Sequence, residues 1–231
     1  MEKVKVDSSF NHSFFGVVTS MCLDDNKLYI GKGNFLLVYD TESDKKINYL
    51  QVFNSNKITK IKIFPINENT KIIITIGETQ VKYSLLNKNE NQYHFKMIKT
   101  MSGDYVVDTM IIQKNNNYFL SLGFINNYFE LYSLKINDDK NITFEYINTF
   151  FSPSKCIVYS MAFYYNYQNN SILIASGTVF RQIIVWEVSL DSITQLATNL
   201  VLTGHEGVIF SVHFINESKL TSTSDDRTTK V

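Results

Sequence analysis

The sequence predicts an all-β fold: a β-propeller of four blades plus an incomplete fifth, with the ring not closed within this chain. Three observations predict it. Strand-length runs rich in Val, Ile, Tyr and Phe are separated by Asn, Asp, Gly and Ser clusters, the pattern of short strands joined by tight turns. No stretch keeps the helical apolar period over successive turns, so helix is scarce. The runs group in fours, and the third run of each group carries an aromatic near its end: Tyr39, Tyr83, Tyr132 and Trp186, at steps of 44, 49 and 54 residues. A four-strand unit repeating at this length is a propeller blade. A β-sandwich also has many short strands but predicts no such period.

The units follow in order. The first, about residues 16–56, has runs from Val17 to Leu23, Lys27 to Gly31, Phe35 to Asp40 and Lys46 to Phe53. The second, about 57–103, has runs from Ile58 to Phe64, Lys71 to Gly77, Gln80 to Leu85 and Phe95 to Met101. The third, about 105–152, has Val106 to Ile112, Tyr118 to Gly123, Tyr128 to Leu134 and Ile142 to Phe151. The fourth, about 156–203, has Ile157 to Tyr164, Ser171 to Gly177, Gln182 to Val188 and Ser192 to Leu202. The fifth, residues 204–231, has Val208 to Phe214 and then Leu220 to Thr228. Glu2 to Val6 alternate charged and apolar residues, as a strand completing a last blade would.

Composition bounds the function. The chain has 231 residues, 44% of them hydrophobic and 14% aromatic, with 9 Gly and 2 Pro, which is globular rather than disordered. Twenty-two basic side chains balance 22 acidic ones, so there is no bulk electrostatic case for nucleic-acid binding. Only Arg181 and Arg227 supply guanidinium groups. One local basic face is a candidate: Lys57, Lys60 and Lys62 alternate with Ile58, Ile61 and Ile63, although a solvated strand face reads the same way. The N-terminus lacks a signal-peptide core and no apolar run approaches a membrane span, so membrane insertion is not expected and the expected location is cytoplasmic. Cys22 and Cys156 stand apart from each other and from any His at ligand spacing, so they read as small buried hydrophobes and no metal site is expected.

The closing segment is the most specific. It combines Gly204-His205, a strand from Val208 to Phe214, and the stretch from Leu220 through Ser222, Ser224, Asp225 and Asp226 to Thr228. The trio of Ser, His and Asp could be a hydrolase triad, but at this spacing it reads as a clamp locking a turn between strands. No nucleophile elbow, P-loop or dinucleotide glycine motif accompanies it, and Gly31-Lys32-Gly33 lacks the third glycine. His12, His94 and His213 are isolated. No catalytic residue is assigned, and the chain is not expected to be an enzyme.

This segment resembles a standard WD repeat. The resemblance implies that His205, a strand hydroxyl (Ser222 or Ser224) and Asp226 form a structural hydrogen-bonded chain ending on a Trp indole. That Trp falls at position 232, beyond the last residue, and the expectation is an N-terminal fragment or an interrupted gene product. Together with Ala175-Ser176-Gly177-Thr178-Val179-Phe180 and Ile183-Ile184-Val185-Trp186, the closing segment is similar to the WD-repeat regulatory subunit that partners the tRNA anticodon-loop 2′-O-methyltransferase. In motif the similarity covers about residues 172–231; the earlier units fit by period alone. It implies a non-catalytic scaffold with no cofactor of its own. The partner enzyme would bind S-adenosylmethionine and methylate the wobble ribose at position 34, while this subunit docks the enzyme and helps to position tRNA. The alternative is a generic WD-repeat interaction scaffold in ubiquitin ligation or membrane traffic.

Overall fold

The computed structural model describes residues 17–87, 92–137 and 141–231, with the side chains of residues 198 and 199 left aside. The predicted strand from Glu2 to Val6 and His12 lie outside the described residues. Among the described residues every regular element is a strand. Blade 1 comprises β1 (Val18–Asp24), β2 (Lys27–Lys32), β3 (Phe35–Asp40) and β4 (Lys45–Gln51). Blade 2 comprises β5 (Lys60–Asn67), β6 (Thr70–Gly77), β7 (Gln80–Asn87) and β8 (Lys96–Ile98). Blade 3 comprises β9 (Val106–Lys114), β10 (Asn117–Phe124), β11 (Tyr128–Ile136) and β12 (Ile142–Phe151). Blade 4 comprises β13 (Val158–Asn166), β14 (Ser171–Thr178), β15 (Ile183–Ser189) and β16 (Thr194–Leu202). Blade 5 comprises β17 (Ile209–Asn216), β18 (Lys219–Ser224) and β19 (Thr229–Lys230).

Each sheet is antiparallel with its strands in chain order, as hairpin connections dictate. The architecture is therefore an all-β propeller of five blades. Five blades are present where four and an incomplete fifth were expected: the fifth is formed of three paired strands, with Ser222 and Thr223 pairing with Lys230 and Thr229. The turn between the second and third strands needs one left-handed residue in every blade, and Gly33, Glu78, Asn127, Arg181 and Arg227 supply it. Both arginines of the chain thus sit exposed in turns on the same edge of the disc.

Four apolar clusters weld the blades in sequence. Tyr29, Leu36 and Val38 meet Ile61 and Ile73 between blades 1 and 2; Ile74, Ile76 and Tyr83 meet Leu120, Leu122 and Tyr132 between blades 2 and 3. Phe129 and Leu131 meet Ile174, Ile184 and Trp186 between blades 3 and 4; Ala175 and Val185 meet Ile209 and Val212 between blades 4 and 5. The innermost strands pack as β1 on β5, β5 on β9, β9 on β13 and β13 on β17, with no comparable packing of β17 on β1.

The aromatic markers share a register but not a face. Tyr39, Tyr83, Tyr132 and Trp186 stand opposite Leu28, Ile74, Leu120 and Ile174 of their neighbouring strands. Trp186 is fully buried with its ring 5.6 Å from that of Phe129 in the preceding blade. Tyr132 likewise lies among residues of the preceding blade. Tyr83 turns the other way and donates its hydroxyl to the Ile142 carbonyl of the following blade at 3.1 Å. A one-residue offset flips a side chain across a sheet, and spacing counted along the chain does not reveal it. Tyr39 is only half-buried, on the side of blade 1 facing away from blade 2.

Close blade contact makes one prediction. A Cβ at Gly177 would come within 2.8 Å of the Ile209 side chain and 3.2 Å of its carbonyl, besides meeting Ser160. Gly177→Val should therefore destabilise the protein by about 1–3 kcal/mol through overpacking of the blade 4–5 contact. A urea titration checks this, and an unchanged midpoint would show that blade 5 yields freely.

Candidate functional site

Two places concentrate polar or accessible chemistry: the end of blade 5 and the mouth of the central channel. In blade 5, His205 precedes β17, and a left-handed turn between β18 and β19 carries Asp226 back towards it. His205 Nδ1 lies 2.7 Å from the Asp226 carboxylate, and Nε2 lies 2.8 Å from Ser222 Oγ. Facing a carboxylate, Nδ1 carries the proton, so Nε2 accepts from the Ser222 hydroxyl. The Glu206 N–H donates to Asp226 at 2.9 Å, the Thr228 hydroxyl at 2.7 Å and the Thr228 N–H at 2.8 Å. Burial opposes the Asp226 charge, but the bonds from Thr228, the Glu206 N–H and His205 outweigh it and hold the carboxyl well below the usual range. Gly207 lets the two turns touch, since a Cβ there would stand 2.9 Å from the Asp226 nitrogen.

Of the two candidate hydroxyls, the structure brings Ser222 to His205. Ser224 instead accepts the Asp226 N–H at 3.2 Å and shapes the turn. Thr228 joins the clamp and was not singled out in the sequence, although it closes the same turn. In blade 4, Ser176 stands one residue before Gly177 and accepts from the Trp186 indole at 3.5 Å.

The distances of the trio are those of a hydrolytic triad, but its surroundings are not. Ser222 is 2% exposed and stands within a paired strand rather than on an exposed elbow. The arrangement satisfies buried polar groups and locks a turn.

The channel mouth is lined by successive blades. Tyr105, Tyr159 and Phe210 stand at the start of the inner strands of blades 3, 4 and 5, each about half exposed. Tyr159 and Phe210 meet edge-on with centroids 5.8 Å apart. With Val106, Val107 and Ile125 they line a cavity of about 310 Å³, edged by Lys60, Glu78 and His213. A recurring aromatic at the head of the first run in units three, four and five was the available sequence signal. The chain is a β-propeller. Compared with known proteins, it matches no protein-family model and no curated protein.

The basic face needs correction. Lys62 Nζ lies 2.6 Å, and Lys60 Nζ 3.4 Å, from the carboxylate of Asp108 in the next blade, which is buried. Lys62 also donates to the Thr109 carbonyl at 2.9 Å. A buried carboxylate draws the two ammonium groups inward, so only Lys57 stands exposed in the expected way. The opposite edge of blades 1 and 2 holds a wider cleft of about 660 Å³, where Lys71 is bound by Asp24 at 2.8 Å and Asp25 at 2.7 Å. A second buried acid, Glu130, accepts from the Ser102 N–H at 2.9 Å, the Met101 N–H at 3.1 Å and the Tyr132 hydroxyl, pinning the linker into blade 3. Burial, then the bond to Glu130, raises the Tyr132 phenol far above its ordinary value.

Cys22 and Cys156 are free and half-buried, and burial, helped by nearby Asp24, pushes the Cys22 thiol up. Among the described residues no three His, Cys, Asp or Glu side chains gather to hold a metal, and no helix is long and apolar enough to cross a membrane.

Proposed function

We propose that this chain is a non-catalytic WD-repeat scaffold that docks a tRNA 2′-O-methyltransferase and helps to position tRNA for ribose methylation at the wobble nucleotide, position 34. The observation that carries the scaffold reading is the His205 clamp, whose serine and aspartate contacts serve a turn rather than an open reaction site. The choice of partner rests on the sequence similarity of residues 172–231. S-adenosylmethionine belongs to the partner enzyme. Engagement of Lys60 and Lys62 by Asp108 favours tRNA contact through the complex over direct clamping by this chain. The partner's natural seat is the channel mouth, where half-exposed Tyr105, Tyr159 and Phe210 offer rigid aromatic anchors of the kind that dominate protein interfaces.

The test joins affinity capture with mass spectrometry of tRNA. Wild-type chain should recover a 2′-O-methyltransferase, and a double Tyr159→Ala, Phe210→Ala variant should lose it by at least about tenfold while keeping its far-UV circular dichroism. Cells lacking the gene should show reduced 2′-O-methylation at position 34. Unchanged methylation sinks the tRNA reading. The apolar channel mouth and the balanced charge also suit a second reading, a scaffold for another assembly such as ubiquitin ligation or membrane traffic. Consistent recovery of such partners without a methyltransferase would favour it.

A further inference from the structure

The two cysteines of the chain sit in different chemistry. Cys22 lies within β1, opposite Tyr29 of β2, and packs at the contact between blades 1 and 2. Burial, helped by Asp24, raises its thiol, so little reactive thiolate is present at neutral pH. Cys156 stands instead in the irregular linker from blade 3 to blade 4, between exposed Lys155 and exposed Ile157. It is half-buried, with one side against the core shared by those two blades.

Asn127 sets Cys156 apart. This residue is 1% exposed and occupies the left-handed turn position of blade 3, with φ of 60°. Its Nδ2 donates to the Ser154 carbonyl at 3.0 Å and to Cys156 Sγ at 3.4 Å. Its backbone carbonyl accepts the Ser152 N–H at 2.9 Å, so one residue holds the linker to blade 3. Oδ1 of the same carboxamide is buried and has no donor among the described residues. A buried acceptor left unpaired carries a desolvation cost. The amide end is turned to the sulfur, yet the Cys156 thiol does not satisfy Oδ1. An oxygen added to that sulfur extends its reach. A sulfenic acid, S–O–H, brings the hydroxyl donor that Oδ1 lacks and an oxygen that Nδ2 can serve.

We propose that Cys156 is a peroxide-reactive thiol whose sulfenic acid is held by the Asn127 carboxamide. The Cys156 thiolate attacks the hydroxyl oxygen of a hydroperoxide. The S–O bond forms as the O–O bond breaks, and the other oxygen leaves with the electron pair and takes up a proton. Sulfur gives up two electrons and the peroxide gains them. The new hydroxyl donates to Oδ1, which ties up the sulfenic acid and slows its attack on a second peroxide. Two equivalents of a thiol restore the cysteine through a mixed disulfide, with loss of water. None of this depends on the partner proposed above.

The test treats the purified chain with hydrogen peroxide and the sulfenic-acid trap dimedone, and reads each cysteine peptide by mass spectrometry. The dimedone adduct on Cys156 should exceed that on Cys22 by at least about tenfold. Without the trap, Cys156 should accumulate a one-oxygen form that dithiothreitol reverses. Asn127→Gly suits the positive φ but removes the carboxamide. At the same peroxide dose it should shift Cys156 severalfold towards the irreversible two- and three-oxygen forms, with Cys22 unchanged. Equal or greater labelling of Cys22 overturns the proposal. So does passage of wild-type Cys156 straight to the irreversible forms, or a wild-type distribution in an Asn127→Gly variant that folds by circular dichroism. If that variant does not fold, the two wild-type measurements decide by themselves.

Discussion

Replacing Trp186 by alanine is expected to cost about 3–5 kcal/mol, the range for removing a fully buried large aromatic. The indole is 0% exposed and packs against Phe129 of blade 3 among Ile174, Ile184 and Val188. Its loss leaves a cavity at the contact that couples blades 4 and 5 to the rest. Because each blade touches only its neighbours, the damage should also split the transition, with blades 4 and 5 melting before blades 1 to 3. Urea unfolding followed by circular dichroism, together with hydrogen exchange resolved by segment, measures both effects. Trp186→Phe should retain most of the stability. A loss below about 1 kcal/mol for the alanine variant would mean that the blade 3–4 contact does not depend on this ring.

His205→Ala is expected to cost about 2–4 kcal/mol, since it removes two hydrogen bonds, strands the buried Ser222 hydroxyl and takes from Asp226 its imidazole donor, leaving it those from Glu206 and Thr228. The clamp also predicts an acid dependence. Asp226 is held below its ordinary carboxylate range in the folded protein, so its contribution is fully present above the unfolded value, about pH 4. It is lost as pH falls further towards the folded value. Wild type should therefore lose stability across this acid window, and Asp226→Asn should lose less there while being weaker at neutral pH. Ser222→Ala separates the clamp from the hydrolase reading. It should lower stability and leave any background ester hydrolysis unchanged. Activity that vanished in a variant of normal stability would identify Ser222 as a nucleophile.

The strands were legible because their signals are local. Alternating apolar residues and polar turns mark each blade, and a repeated aromatic marks the first four, without reference to any other. The blade-5 clamp was legible for the same reason, since His205, Ser222 and Asp226 fall within one unit. What spacing could not provide was direction. Tyr83 and Trp186 look alike in their runs, yet one faces the following blade and the other the preceding one. Lys60 and Lys62 looked like a solvent-facing pair until Asp108, more than forty residues on, came alongside.

The sequence alone determined that this chain is built of short antiparallel strands in repeated groups, because backbone propensity, turn chemistry and period act over a few residues. Only the tertiary structure decided which side of each blade is buried, which charges neutralise one another, and which aromatic rings gather at the channel mouth. Those outcomes depend on contacts between residues tens of positions apart. The pair of Lys62 and Asp108 shows the division: both residues are plain in the sequence, but only the packed blades bring them to 2.6 Å.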